Sequence, residues 1–547
     1  MPALVPFNML VLAAAASMFL IPPLCRVAPR LGLVDLPDPR KVHTTPIPRV
    51  GGWGITLGML FPLLFLLPDN PLMQSFVIGA LILFGFGVWD DAREIGHWPK
   101  FIGQIAAAVL VVYYGDLYIT SLPFVGDGAL SPLFGRLFTV FALVGAINAV
   151  NHSDGLDGLA SGECLLSLIA LASLGYLADS SLVMAMALAA IGGIIGFLRY
   201  NSHPARVFMG DCGSQVLGFT VAFLIIYLTQ VGDSALSSAL PLLLLGVPIS
   251  DILAVLYQRI AAGNNWFKAS RNHIHHRLLD LGFRHFEAVI IIYSVQALLV
   301  VSAVLLRYQS DAIVTGVYLL VIVSLFTTLT FGESRGWRRD PQRSSGIFHS
   351  VSRLLGWLAH SRAVREAPRI LITVSVPAML LLGPLGVARV PHDVAWIAAG
   401  LAAIVAMQIG RSRANGSTLV RLAVYVAAIA SVYLFINYPA ALSRPLQPLV
   451  LTLIAALAIA IGGYLKFASD QKFGTTPTDF LILFVMLALL IFGNLDIGAR
   501  ALVEIVVYAV VLLYSCEVLI NLTVRRWNVL HLSTLASLTI MVVRGAT

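Results

Sequence analysis

The sequence predicts an all-α polytopic membrane protein, with about eleven spans forming a core and about six more towards the C-terminal end. Three observations carry this. The 547 residues are 59% hydrophobic and only 11% charged, a balance that a water-soluble domain does not sustain. Apolar runs of about 20 residues recur along the chain, with short polar loops between them. The basic residues fall almost entirely in alternate loops, the charge signature of a fixed membrane topology.

The first apolar run, Leu4 to Leu24, has no basic leader and no small-residue cleavage site, so it reads as a retained span. Further spans fall near 52–68, 72–89, 101–115, 133–150, 159–178, 182–198, 214–230, 236–258, 286–306 and 312–331. An Arg-rich connection follows over 332–368, and within it Ile347 to Leu358 is amphipathic with basic flanks, suited to a membrane surface. Six more spans lie near 369–388, 393–410, 419–437, 445–465, 479–493 and 499–523. The weakly apolar tail, 524–547, reads as an interfacial helix. The chain therefore divides into a membrane domain over 1–331, a linker over 332–368 and a second membrane domain over 369–547.

With the N-terminus outside, the inside loops collect Arg26, Arg30, Arg40, Lys41, Arg49, Arg93, Lys100, Arg199, Arg206, Arg259, Lys268, Arg271, Arg277 and Arg284. The outside loops hold only Arg136, Arg307, Arg389, Arg444 and Arg500. This asymmetry fixes the orientation, and an odd number of spans puts the C-terminus inside. The net charge of +8 is thus spent on topology, which removes the nucleic-acid reading it would otherwise invite. The four scattered cysteines, Cys25, Cys164, Cys212 and Cys516, form no CxxC pair and suggest neither a disulfide framework nor a zinc site.

Five polar motifs fall on the inside face. The densest is Asn148-Ala-Val-Asn-His-Ser-Asp-Gly-Leu-Asp-Gly158, where Asn148, Asn151, Asp154 and Asp157 offer hard oxygen ligands of the kind Mg²⁺ takes. Asp154 and Asp157 would share a face if the stretch were helical. Helix capping explains one of these four residues and not all of them. The first inside loop, 35–52, is proline-rich and carries Lys41, His43 and Arg49, cations suited to phosphate beyond simple positive-inside charge. Asp90 and Asp91 end an apolar helix, where adjacent carboxylates oppose both the helix dipole and each other unless a cation compensates. Lys100 opens the next helix, the wrong end for a cation unless an anion is near. In Asn201-Ser-His-Pro-Ala-Arg-Val-Phe-Met-Gly-Asp-Cys-Gly-Ser214, glycines flank Asp211 ahead of a helix expected from about Ser214; backbone N–H groups there could face phosphate while Asp211 holds a metal. Phe208 is as well suited to stacking a base as to a membrane interface. In Asn272-His-Ile-His-His-Arg-Leu-Leu-Asp-Leu-Gly282, His273, His275 and His276 fit donation to phosphate or sugar oxygens better than a zinc site, since no cysteine lies near.

In this order, DGLDG after Asn-x-x-Asn, the Asp-Asp pair, Phe-Met-Gly-Asp-x-Gly-Ser and His-Ile-His-His-Arg-Leu resemble the polyprenyl-phosphate N-acetylhexosamine-1-phosphate transferases, the superfamily of the MraY-like translocases, and within it the WecA/TagO branch. The resemblance covers residues 1 to about 331 and says nothing of the remainder. It implies transfer of an N-acetylhexosamine-1-phosphate, by default the N-acetylglucosamine one, from a UDP-sugar to undecaprenyl phosphate, releasing UMP and starting a cell-envelope glycan. It implies Mg²⁺, with Mn²⁺ as the alternative ion, and a multi-pass protein of the bacterial inner membrane with its site on the cytoplasmic face; it allows a homodimer. By motif, Asp211 resembles the principal metal ligand and Asn151 a second. Asp90 resembles the residue that deprotonates the lipid phosphate, with Asp91 beside it. Asn148, Asp154 and Asp157 resemble nucleotide and metal-shell residues, and Phe208 the uracil-stacking aromatic. Asn201, Lys41 and Lys100 resemble further nucleotide and phosphate contacts, and His273, His275 and His276 the diphosphate and sugar loop. Glu94 stands where the family often has an acidic or amide residue, and His152-Ser153 where apolar or small residues are common.

Two other classes compete. A multispan transporter or flippase of a nucleotide sugar or lipid-linked sugar fits the span count, but the chain shows no paired broken helices or repeat symmetry. A CDP-alcohol phosphotransferase would need a differently spaced aspartate motif. For the C-terminal spans, an assembly or regulatory role ranks ahead of a second activity.

Overall fold

The computed structural model describes residues 5–37, 45–66, 69–125, 130–232, 235–263, 272–338, 362–410, 418–440, 443–467, 497–522 and 527–546. Lys41, His43, the amphipathic segment 347–358 and the span expected at 479–493 lie outside them. The described residues fall into two compact units, one over 5–338 and one over 362–546. Both are helical, and the described strands are a two-residue pair, β1 (Val34–Asp35) and β2 (Ile47–Pro48), antiparallel. Eleven helices among the described residues are long and apolar enough to cross a membrane, and further apolar helices are shorter.

The first unit runs α1 (Val5–Val27), α2 (Gly51–Leu66), α3 (Pro71–Arg93), α4 (His97–Tyr113), α5 (Pro132–Ser153), α6 (Leu159–Leu177), α7 (Ser181–Asn201), α8 (Asp211–Tyr227), α9 (Leu240–Leu244), α10 (Gly246–Ala261), α11 (Ile274–Asp280), α12 (His285–Leu305) and α13 (Asp311–Ser334). Local chemistry sets several of the ends. Asn70 caps α3 by accepting the Met73 N–H at 2.9 Å, with Pro71 in the first turn, where its missing donor costs nothing. Ser131 and Pro132 start α5 in the same way. Helix α8 lies at the centre, buried along most of its length and packed by α2, α3, α5 and α6. Because lipid is as apolar as the core, side chains such as Leu320 and Val323 on α13 stay exposed at no cost.

The span expected at 236–258 is broken into α9 and α10. Pro248 has no N–H to donate back into the helix, so the chain reorganises at Leu245 and Gly246. The freed Leu244 carbonyl accepts Ser167 Oγ at 2.7 Å and Gln296 Nε2 at 2.9 Å, while Gln296 Oε1 accepts the Val247 N–H at 3.1 Å. A helix break is tolerated at membrane depth when neighbouring side chains take up the released groups in this way.

The second unit comprises helices Arg362–Leu385, His392–Gly410, Thr418–Asn437, Ser443–Phe467, Ile497–Leu522 and Trp527–Ala546. Glu517 accepts Arg421 Nη1 at 2.8 Å and the Tyr425 hydroxyl, tying the helix Ile497–Leu522 to Thr418–Asn437. The tail differs from expectation. Within its last helix, Val529–Ala546 is long and apolar enough to span a membrane, with Arg544 in the last turn. The parity argument that placed the C-terminus inside therefore lapses.

Candidate active site

Six helix ends of the first unit meet where the sequence motifs lie: the C-terminal ends of α3, α5 and α7 and the N-terminal ends of α4, α6 and α8. Helix α3 ends with Glu94 in the left-handed region (φ 48°), which leaves Asp90 and Asp91 on its last turns, both buried. Helix α4 restarts at His97 and brings Lys100 back towards them.

Gly210 starts α8. Its φ of +75° is one that a side-chain-bearing residue rarely adopts, and a Cβ there would lie 2.6 Å from Asp91 Oδ2. The helix consequently begins at Asp211 rather than at Ser214. Asp91 caps it from across the bundle, accepting the Asp211 N–H at 2.9 Å and the Cys212 N–H at 3.2 Å. These N–H groups, expected to face phosphate, are thus taken by Asp91. Asp211 sits in the first turn, where the helix dipole favours its negative charge.

Lys100 Nζ bridges the two remaining carboxylates, 2.6 Å from Asp90 Oδ2 and 2.5 Å from Asp211 Oδ2. The other oxygen of Asp211 accepts Asn151 Nδ2 at 3.1 Å, and Asn151 also reaches Ser214 Oγ at 2.8 Å. Asp90, Lys100, Asn151 and Asp211, spread over 122 positions of sequence from 90 to 211, are therefore one cluster. The oxygen donors suit a hard divalent cation, and the ammonium marks where positive charge is required. Asn148 is tied behind them: its Nδ2 donates to Gln104 Oε1 at 2.7 Å, and Gln104 in turn donates to Gln215 at 3.2 Å. Gln104 and Gln215 were passed over in the sequence; the signal was an amide inside each of two apolar spans.

The DGLDG stretch is a turn, not a helix, so Asp154 and Asp157 do not share a face. Asp154 is open to solvent beside the carboxylates. The protein packed around it, together with the charges of Asp211, Asp91 and Asp157, pushes its carboxyl upward. Asp157 points elsewhere. Its Oδ2 accepts the Ala205 N–H at 3.1 Å and lies 2.7 Å from His203 Nδ1. Burial alone would raise this carboxyl, but the His203 hydrogen bond and the nearby His285 outweigh it and hold it below the usual range. Asn201 is a brace: it accepts the Gly158 N–H at 2.7 Å and donates to the Val207 carbonyl at 2.8 Å, joining the two turns. Phe208 is half-buried, and its backbone pairs with Pro48 and Gly51, so β2 fixes it beside the site. Arg49, expected to meet phosphate, pairs with the buried Asp35.

The histidine loop docks onto the same turn. Gly155 passes so close to His275 that a Cβ would sit 2.3 Å from its Nε2. The rings of His152, His273, His275 and His276 line up, with centroids 5.6 Å (152–273), 5.7 Å (273–275) and 4.2 Å (275–276) apart. Burial, with His276 beside it, lowers the His275 imidazole to about 3, so it stays neutral. The anchor of this loop is Asp251 of α10, which the sequence reading did not single out: it takes the Ile274 N–H at 2.8 Å and His273 Nδ1 at 2.7 Å. Arg277 locks the far side through a two-point pair with Glu333 of α13, at 2.7 Å for each contact. Replacing Asp251 by Ala is expected to speed hydrogen exchange at residues 273–276 by roughly 10–100-fold, the loss of about 1–3 kcal/mol of hydrogen bonding; unchanged exchange would remove Asp251 from this role.

Comparison with known proteins follows the same motifs. Residues 73–229 match the model of glycosyl transferase family 4. The chain is 32% identical over 303 residues to a probable undecaprenyl-phosphate N-acetylglucosaminyl 1-phosphate transferase of Bacillus subtilis, covering 55% of this chain and 84% of that protein. It is 31% identical over 320 residues to the undecaprenyl-phosphate alpha-N-acetylglucosaminyl 1-phosphate transferase of Escherichia coli K12, covering 57% and 87%. The Yersinia pestis counterpart matches at 31% over 326 residues with the same coverage.

Proposed function

The chain belongs to the superfamily of polyprenyl-phosphate sugar-1-phosphate transferases, and from that premise we propose that it moves N-acetylglucosamine-1-phosphate from the UDP-sugar to undecaprenyl phosphate in the bacterial inner membrane, with the site on the cytoplasmic face. The observation that carries the reading is the cluster of Asp90, Lys100, Asn151 and Asp211 at one end of the helices. Both substrates are phosphate anions. Bringing them together needs fixed positive charge and an in-line geometry, which is what a phosphoryl-transfer site supplies.

An oxygen of the lipid phosphate attacks the β-phosphorus of the donor. The bond from that phosphorus to the bridging oxygen breaks, and UMP leaves with the electron pair. Asp90 takes the acceptor's proton where the acceptor is still protonated. Lys100 holds the diphosphate, and Asp91 holds Asp211 in place through the start of α8. Asp211 and Asn151 would bind Mg²⁺, which when present offsets the charge developing on the leaving phosphate. Phe208 stacks the uracil, and the histidine loop with its neutral His275 faces the sugar diphosphate. The inside excess of Lys and Arg supports the cytoplasmic placement.

A panel of nucleotide sugars with undecaprenyl phosphate tests this. UMP release with UDP-N-acetylglucosamine is expected; release of UDP, or flux without chemistry, would overturn it in favour of another transferase or a transporter. For residues 369–547 we propose an assembly or regulatory role, expected to leave catalysis in place when they are removed.

A further inference from the structure

Three of the helices that deliver a residue to the charged cluster carry an uncharged amide one turn further in. On α4 Gln104 follows Lys100 by four residues, on α8 Gln215 follows Asp211 by four, and on α5 Asn148 precedes Asn151 by three. At these spacings the two members of each pair share a helix face, about one 5.4 Å turn apart. Gln104 and Gln215 are buried, and an amide enclosed in an apolar span is costly unless its hydrogen bonds are met. The bonds they make run in one direction. The Val144 carbonyl, which can only accept, takes Asn148 Nδ2 at 2.8 Å and so fixes which way that amide faces. Asn148 Nδ2 also donates to Gln104 Oε1 at 2.7 Å, which turns Gln104 Nε2 towards Gln215 Oε1 at 3.2 Å. Gln215 Nε2 ends the chain, buried with no partner among the described residues. The amide layer thus joins α4 to α5 and α4 to α8, while Asn151 joins α5 to α8 in the layer above through Ser214 and Asp211.

We propose that Gln104 and Gln215 are positioning residues for the transfer, holding α4, α5 and α8 at fixed spacing while the charged layer exchanges its contacts. The inference rests on the transferase reading. In that reading Lys100 turns to the diphosphate, so its contacts with Asp90 and Asp211 are given up or shared when substrate arrives. A salt bridge that is traded during the cycle cannot also set the distance between the helices that bear it. The amides lie beneath the exchange and have no charge to trade, so their bonds persist through it. Neutral groups are also the ones that fit: a carboxylate or an ammonium here would add charge under a cluster that already holds two carboxylates and a lysine. Leucine would fill the space but leave the three helices without a directional tie. The convergence of Lys100, Asn151 and Asp211 during turnover is therefore assigned to the layer below them.

Steady-state kinetics of the purified full chain carrying both Gln104→Leu and Gln215→Leu test the proposal, with kcat counted per folded molecule. Replacing both amides leaves Asn148 its Val144 bond and removes the unpaired Gln215 donor, so the bundle should fold, which a melting curve checks. The kcat is expected to fall about tenfold to a hundredfold, the scale of a small misplacement of reacting groups, while KM for the UDP-sugar stays within about threefold. Should the double variant not fold, Gln215→Leu alone, which keeps the pair between Gln104 and Asn148, carries the same test with an expected fall of about tenfold. A kcat within about threefold of wild type, or a rise in KM as large as the fall in kcat, would overturn the proposal. Wild type that releases no UMP would remove the transferase reading and this inference with it, whereas active wild type beside equally active variants removes the inference alone.

Discussion

Asp211→Asn is expected to lower the rate of lipid-linked sugar formation roughly a thousandfold, equivalent to about 4 kcal/mol of barrier. The substitution keeps the shape of the side chain and its place in the first turn of α8, so the bundle should fold unchanged. What it removes is the negative charge that Lys100 and Asn151 both address, at 2.5 Å and 3.1 Å. The charge cannot be supplied by a neighbour: Asp91 is committed to capping the helix and Asp90 shares the same lysine. Initial rates on purified protein, with a melting curve as the folding control, give the answer. Activity within threefold of wild type would take Asp211 out of the chemistry.

Gly155→Ala is expected to cost about a hundredfold, the scale at which a displacement near 1 Å lowers reactivity. A Cβ at this position would lie 2.3 Å from His275 Nε2, so the histidine loop must shift away from the DGLDG turn. Asp251 and the Arg277–Glu333 pair hold the loop from behind, so the movement is opposed rather than absorbed. In a His275→Ala background the three nearest atoms of this clash are gone and the same substitution should cost little more. This non-additivity distinguishes a steric clash from a general loss of stability. Full additivity of the two changes would contradict the packing described.

The helical architecture was open to reading because hydrophobic run length is a property of the bilayer, not of tertiary context. Asp90 and Lys100 could be paired because each opposes the dipole of the helix end it occupies and needs the other, whereas Asn151 and Asp211 joined them only through the motif resemblance. The sequence showed less of how each polar group is used. Asp91 turned out to cap a helix more than a hundred residues away, and Asn201 to join two turns, because a backbone N–H has no sequence signature. Asp157 looked equivalent to Asp154 by spacing, but the turn sends them in different directions. Asp251 and His285 carried no local motif and His203 drew no notice within one, and only the fold brings them to their partners. The break between α9 and α10 could have been suspected from Gly246 and Pro248, yet the polar groups that make it tolerable, Ser167 and Gln296, lie on other helices.

A donor labelled in its β-phosphate reports most directly on the central claim, that a phosphorus centre and not the sugar carbon is attacked. With undecaprenyl phosphate and Mg²⁺, the label should enter the lipid fraction together with the sugar, leaving unlabelled UMP in solution. Label retained in soluble UDP while sugar alone enters the lipid would contradict it.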